Sequence, residues 1–427
     1  MKKLFISIFF VCLAACSNAS ELLEKAKALE QAKDYCHAQE IYLKILQNDQ
    51  YNMAARFSLG LIYIHLNELV LAHECFATLY QQFPNEIPIQ YNLAYVARRM
   101  GKYEQAIQIY CKLIKNDPDN SSIHFGMANA YLTLQDFNNG LHFYEKARKS
   151  AAIVHPQLKD MPNLNNKIIL IIEEWGFGDT FHFVRYAKEL KAKGATVWIT
   201  ARQETHGLLK NCPFIDQVFD INDQSCYLKA DFQIPMISLM YVCNTTFDTI
   251  QAQIPYLYAN PQLIQFWRKQ VKKNHFNVGV NWKGTAEKNM NPNLFFPLAD
   301  IPKVHLYSIQ KFNQELSEQK NNPIIFFPDF DETHGNFMDT AALIKSLDLV
   351  ITTDTSIAHI AGALGAPTWL LIPCWADWRW FWNRNDSPWY PTMRIFRQPK
   401  PGDWESVIEE VKIELKKIVR NYEKNIV

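Results

Sequence analysis

From residue 19 to about residue 150 the chain returns to the same pattern of apolar and polar positions every 34 residues. With Ala19, Met53, Ile87 and Ser121 as first residues, position 8 is Ala26, Gly60, Ala94 and Ala128, and position 20 is Ala38, Ala72, Ala106 and Gly140. Position 24 is Tyr42, Phe76, Tyr110 and Tyr144. Small side chains recur where two helices must approach, and an aromatic recurs one turn later to fill the gap. Pro84 and Pro118, at position 32 of the middle units, end the second helix of each pair, since proline has no N–H to give a helix interior. The pattern predicts four helical hairpins, residues 19–150, stacked into a curved solenoid with a concave surface suited to a protein or peptide partner; a rigid spacer is the plainer alternative.

After a polar linker over 151–166 the period changes. KIILIIEE (Lys167 to Glu174) reads as a buried strand, WGFGDT as a turn, FHFVRYAKELKAKG as an amphipathic helix and ATVWIT as the next strand, with further strands near IDQVFD and ADFQIPMISL. IPYLYANP (Ile254 to Pro261) leads into a second block, FNVGVNWKG, VHLYSIQK, IIFFP and DLVI. Strands alternating with helices in two blocks, 167–262 and 263–427, predict two Rossmann-like domains facing a cleft, so the fold class is α + α/β. Between the apolar runs DLVI and TWLLIP lies TTDTSIAHIAGALGAP, Thr352 to Pro367. That is a βαβ unit whose polar residues Asp354, Thr355 and Ser356 stand where the strand ends and the helix begins. Open α/β sheets place ligands there, and a helix start with free N–H groups and a partial positive charge suits a phosphate. Asp354 or Thr355 acting only as a helix cap fits the local sequence equally well.

The other candidate chemistry falls at corresponding places. In GFGD, Gly176 and Gly178 let the backbone turn and approach a ligand, and Asp179 stands at the mouth of the next helix. A dinucleotide fingerprint would need a third glycine where Phe181 stands, which excludes NAD binding. A lone aspartate before a helix is more often an N-cap. In the second block Lys283 and Gly284 lie just past a strand end, with Lys288 close behind. A lysine there acts as a point charge on a departing diphosphate, although a solvated surface lysine is the default. His359 follows Ser356 by three residues, and a histidine on an apolar helix is usually packed and hydrogen-bonded. No second His, Cys or carboxylate stands at ligand spacing, so no metal site is expected.

Composition narrows the classes. Forty-four basic and 43 acidic residues leave a net charge of +1, which gives no electrostatic case for a nucleic-acid partner. The opening MKKLFISIFFVCLAACSNAS, with two lysines, a short apolar run and Leu13-Ala14-Ala15-Cys16, is laid out like a secretory signal over 1–18, and LAAC resembles the lipobox of bacterial lipoproteins. The seven cysteines beyond it, Cys36, Cys75, Cys111, Cys212, Cys226, Cys243 and Cys374, are odd in number and lack disulfide or zinc spacing, which argues for reduced thiols.

The repeats resemble the tetratricopeptide repeat. The strand-GFGD-helix opening, NWKG, and DTAALIKSLDLVITTDTSIAHIAGALGAP together resemble glycosyltransferase family 9, the heptosyltransferase-like enzymes of the GT-B fold, over about residues 165–420. That resemblance implies an acceptor-side first domain and a nucleotide-sugar-side second domain. It places Asp179 as catalytic base, Gly176 and Gly178 in the acceptor-side loop, and Lys283, Gly284, Lys288, Asp354, Thr355, Ser356 and His359 around the donor. The family's hydroxyl-rich turn before its lysine is replaced here by NWKGTAEKNMN, so either Lys283 or Lys288 fills that place. The tail CWADWRWFWNRNDSPWYPTMRIFRQPKPGDW resembles the branch fused to tetratricopeptide repeats, and its tryptophans are expected mostly to pack a long loop. The implied activity is inverting, metal-independent transfer of a sugar from a nucleotide-diphosphate donor, a co-substrate with no cofactor, to an acceptor presented by the repeats. The alternatives are an interaction scaffold with an inactive transferase-like domain, or an envelope lipoprotein lipidated at Cys16. Because nucleotide-sugars are made in the cytoplasm, a cytoplasm-facing enzyme with an apolar N-terminal membrane anchor is the expectation.

Overall fold

A computed structural model describes residues 20–148, 163–284, 288–310 and 317–426. The signal-like segment with Cys16, and most of the 151–166 linker, lie outside the described residues. The described residues fall into two compact units, one within residues 1–134 with 146–148 and one within residues 135–145 with 149–427.

The first unit is a run of antiparallel helices. α1 covers 20–31, followed by α2 (Tyr35–Asn48), α3 (Met53–His65), α4 (Leu69–Gln82), α5 (Ile87–Arg99), α6 (Tyr103–Asn116) and α7 (Ser121–Thr133). The repeat positions carry the packing as expected. Ala26, Ala94 and Ala128, and Ala38, Ala72 and Ala106, are fully buried, as are Tyr42, Phe76 and Tyr110. At Gly60 a Cβ would come within 2.7 Å of the Phe76 ring, so the aromatic occupies the space the missing side chain leaves. Asp34, Asn52 and Asn120 cap α2, α3 and α7 by accepting backbone N–H groups of the first turn.

The eighth helix, α8 (Phe137–Ala147), departs from the expected boundary. Residues 135–145 belong to the second compact unit. There Phe137 packs 6.2 Å from the Phe381 ring and 6.0 Å from that of Trp389, and the Ser238 hydroxyl donates to Glu145 at 2.7 Å. The final hairpin of the repeat pattern is thus divided, because its second helix buries an aromatic in the α/β core.

The second unit holds two parallel sheets. The first contains β1 (Ile168–Ile172), β2 (Thr196–Ala201), β3 (Gln217–Asp220) and β4 (Phe232–Pro235) in the order β3-β2-β1-β4. The second contains β5 (Phe276–Asn281), β6 (Val304–Ser308), β7 (Ile324–Ile325), β8 (Leu349–Thr353), β9 (Thr368–Ile372) and β10 (Met393–Arg397) in the order β10-β9-β8-β5-β6-β7. The latter is the Rossmann strand order. β5, β8 and β9 are buried along their whole length, which explains why their sequences are continuous apolar runs rather than alternating ones. The C-terminal helix Trp404–Ile426 covers this sheet with Val407, Val411, Leu415 and Val419, spaced for one helix face.

Candidate active site

Each sheet reverses its strand order once, between β1 and β4 in the first and between β5 and β8 in the second. At such a switch point the connections leave on opposite faces and open a crevice at the strand ends. In the first sheet the chain leaves β1 through Glu173, Glu174 and Trp175, the last in the left-handed region at φ 60°, and enters the helix α9 (Phe177–Phe183). Glu173 is a buried carboxylate held by the Arg202 backbone N–H at 2.6 Å, the Arg202 side chain and the Thr180 hydroxyl. In the second sheet β5 runs into Trp282, Lys283 and Gly284, and β8 into Asp354 and Thr355.

Asp179 lies in the first turn of α9. Gly176 is the N-cap, and Asp179 Oδ2 accepts the Gly176 N–H at 3.0 Å. The helix begins four residues earlier than FHFVRYAKELKAKG suggested and continues through a 3-10 turn at Val184–Tyr186 into Ala187–Ala192. Asp179 is therefore a third-residue acceptor within the helix, not its N-cap. Its other oxygen is ion-paired with Arg379, whose second terminal nitrogen donates to Asp377 at 2.7 Å. Burial opposes the Arg379 charge, but the carboxylates of Asp377, Asp179 and Asp354 outweigh it and hold the guanidinium above its ordinary pKa.

Beyond α10 (Ala187–Ala192), α11 (Pro261–Gln270) and α12 (Met338–Ile344), the helix α13 (Ser356–Ala363) starts at the same place. Thr355 is its N-cap: the hydroxyl accepts the Ile357 N–H at 3.3 Å and donates to Asn281 Oδ1 at 3.3 Å, tying the end of β8 to the end of β5. Lys288 Nζ meets Asp354 Oδ2 at 2.5 Å. Burial of Lys288 favours its neutral form, but Asp354 and then Asp377 overcome this and raise its pKa. Gly284 lies against this turn, where a Cβ would stand 3.0 Å from Thr355 Cγ2 and 3.3 Å from Lys288 Cβ. Lys283 is exposed, and its backbone N–H donates to Gln310 at 3.3 Å. Of the two lysines the sequence left open, Lys288 belongs to the half-buried charge cluster and Lys283 to the rim.

Gly178 and His359 serve the contact between α9 and α13. A Cβ at Gly178 would fall 2.9 Å from His359 Cδ2. The His359 ring is buried, stacks on Trp380 at 5.3 Å and places Nδ1 2.8 Å from the Tyr390 hydroxyl. The same hydroxyl stands 2.9 Å from His182 Nδ1. Burial, reinforced by nearby arginines, pushes both imidazoles well below their ordinary pKa. His359 thus has the packed, hydrogen-bonded role that is the default for its setting. Trp378, Trp380 and Trp389 are buried, while Trp375 and Trp382 are half-buried, as a packed tail requires.

Sequence reasoning missed Arg379 and Asp377. They sit in the tail among five tryptophans, and the signal that could have found them is a paired Asp-x-Arg inside an otherwise apolar loop. It also missed Arg185, which is buried under the rings of Tyr256 and Tyr390, each 4.6 Å away, and donates to backbone carbonyls. Among the described residues no group of three His, Cys, Asp or Glu side chains is placed to hold a metal, and no helix is long and apolar enough to cross a membrane.

Comparison with known proteins adds the following. The family model for the TPR repeat matches residues 94–135. The N-terminal helices are tetratricopeptide repeats. Protein FlbA of Caulobacter vibrioides is 22% identical over 367 residues, covering 75% of this chain and 60% of FlbA, so the chain spans about three-fifths of that relative's length. Among solved structures, MamA of MSR-1 aligns with 30% of this chain and 74% of its own at 17% identity, with a TM-score of 0.29. The glycosyl transferase family 9 protein from Veillonella parvula DSM 2008 aligns with 61% of this chain and 98% of its own at 12% identity, with a TM-score of 0.46.

Proposed function

We propose that the α/β unit is an inverting glycosyltransferase that uses a nucleotide-diphosphate sugar, with the tetratricopeptide repeats holding the acceptor. The observation that carries this reading is the meeting of a partly exposed carboxylate, Asp179, from the first switch point with Lys288 and the start of α13 from the second. An acceptor hydroxyl attacks the anomeric carbon, the bond from that carbon to the diphosphate oxygen breaks, and its electron pair leaves with the nucleoside diphosphate. Asp179 takes the proton from the attacking hydroxyl. Negative charge grows on the leaving diphosphate, and Lys288 with the N–H groups at Thr355 and Ser356 is placed to stabilise it. Asp354 does not face the phosphate as a ligand in this scheme; it orients Lys288 and keeps it charged. An apolar pocket of about 280 Å³ on the solenoid, lined by Met53, Phe57, Pro88 and Ile89 among others, supports a peptide as what the repeats hold.

The test is calorimetry of the full chain against UDP, GDP, ADP and CDP. One of them binds, and Ser356→Glu, which adds bulk and negative charge at the helix start, weakens it at least about tenfold, or about 1.4 kcal/mol. Unchanged affinity in a folded Ser356→Glu protein would move the donor elsewhere, and no binding by the unaltered chain would end the transferase reading.

A further inference from the structure

Asp179 is engaged on both oxygens. Oδ2 holds the Gly176 N–H, and Oδ1 is paired with Arg379. A carboxylate in contact with a guanidinium is a poor proton acceptor, because the cation stabilises its ionised form. In Asp179 both oxygens that could receive a proton already face a donor.

The partner that holds it is built into the other half of the unit. Arg379 follows β9, in the tail, and its guanidinium carbon lies 5.0 Å from the Phe183 ring centroid and 4.6 Å from that of Trp378. The residue is 9% exposed. Its terminal nitrogens are divided between Asp179 and Asp377, while Nε is buried with no hydrogen-bond partner among the described residues. A planar guanidinium with an unused donor is suited to phosphate oxygens, which it can grip through two nitrogens at once.

Charge decides how a phosphate would enter. Asp179, Asp377 and Asp354 outnumber Lys288 and Arg379 in this cluster, so it is not an empty cationic pocket. An incoming diphosphate gains only by taking a cation away from a carboxylate. Lys288 is tied to Asp354, its close neighbour across the second switch point, whereas the Arg379 to Asp179 pair joins residues 200 apart from two different halves. Of the two cations, Arg379 is the one with a buried donor, Nε, that is still unused.

We propose that Arg379 is a donor-operated latch on Asp179. In the free protein it occupies one oxygen of the carboxylate in an ion pair; the diphosphate of the arriving nucleotide-sugar competes for the guanidinium, draws it away and leaves that oxygen open to the acceptor hydroxyl. The proposal rests on the transferase reading and adds an order to it, since the donor must bind before the acceptor can be activated. Arg379 is then a positioning residue for the base and a direct ligand of the diphosphate.

Competition has a signature that a static brace lacks. Affinities for inorganic pyrophosphate, and for whichever of the four nucleoside diphosphates binds, are measured by calorimetry on the full chain and on Asp179→Asn, Arg379→Gln and the double variant. The latch predicts that Asp179→Asn binds at least about threefold tighter, because the competitor for Arg379 is gone, and that Arg379→Gln binds at least about tenfold weaker. In the Arg379→Gln background Asp179→Asn then changes affinity less than about twofold. Equal tightening in both backgrounds would mean plain repulsion between Asp179 and phosphate, and no tightening in either would mean a fixed brace; each result overturns the latch. If Arg379→Gln does not fold, Arg379→Lys replaces it: an ammonium keeps the charge but lacks the planar fork that reaches Asp179 and Asp377 through separate nitrogens and grips two phosphate oxygens at once, and the Asp179→Asn gain must shrink there. Binding that Ser356→Glu weakens but that shows no Asp179–Arg379 coupling removes the latch alone, whereas no binding by the unaltered chain removes the transferase reading with it.

Discussion

Mild acid should destabilise the α/β unit through His182 and His359. Both imidazoles are buried and both place Nδ1 against the Tyr390 hydroxyl, at 2.9 and 2.8 Å. Tyr390 has a single proton, so it donates to one ring and accepts an N–H from the other; two neutral rings in opposite tautomers satisfy it. Burial is the main cause of the depressed pKa in both, and Arg185 and Arg379 add to it, while Asp377 offsets the effect only in part and only at His359. The sign follows from linkage. The folded pKa values lie well below the ordinary 6.5, so under pH 6.5 the unfolded chain takes up protons that the folded chain refuses. Stability is full above that pH and falls with further acidification. Each histidine contributes a slope approaching about 1.4 kcal/mol per pH unit, and the two together cost about 2 kcal/mol between pH 6.5 and pH 5.5. Urea unfolding followed by tryptophan fluorescence isolates the right unit, because all 11 tryptophans follow residue 174 and the solenoid has none. His73, which burial also shifts downward, lies in the solenoid and stays silent in this readout. His359→Gln retains a hydrogen-bonding side chain but not the titration, and should reduce the acid-induced loss by about 1 kcal/mol. A stability that is flat over this range, or the same acid sensitivity with and without His359, would refute the argument.

Two further outcomes test the site more directly. Alanine at Gly178 ordinarily favours a helix by about 1 kcal/mol, but here its Cβ would stand 2.9 Å from a ring fixed by Tyr390 and Trp380, so we expect a net loss of about 1–2 kcal/mol in the same unfolding assay; a gain would show that the α9 to α13 contact yields easily. Asp179→Asn should lower the rate of donor turnover, measured as release of nucleoside diphosphate from the nucleotide-sugar that binds, by about a hundredfold while nucleotide binding persists; full turnover would remove Asp179 from the chemistry, and Asp179→Ala should add a stability loss of about 1 kcal/mol from the freed Gly176 N–H.

Local pattern was sufficient wherever one element's own periodicity carried the information. The 34-residue spacing of small and aromatic positions located the helical hairpins because each repeat buries the same side chains against its neighbours, as the fully buried Ala38, Ala72 and Ala106 show. The strands were legible for the same reason: a strand buried on both faces, such as β8 or β9, must be apolar throughout. The polar turn at Asp354 to Ser356 could be placed at a strand end and helix start from sequence, since that junction is local. What sequence left open were relations between distant segments. Lys283 and Lys288 look alike in NWKGTAEKNMN, and only the approach of β8 gives Lys288 a carboxylate, Asp354, 66 residues away. Asp179 read as a helix cap or a base, and tertiary structure adds a guanidinium from 200 residues further on, which changes what either role requires. Helix Phe137–Ala147 fitted the repeat pattern yet lies mostly with the α/β unit, because Phe137 finds its aromatic partners there. Periodicity records which face of an element is buried; which charges then share that buried space depends on chain crossings that no local window contains.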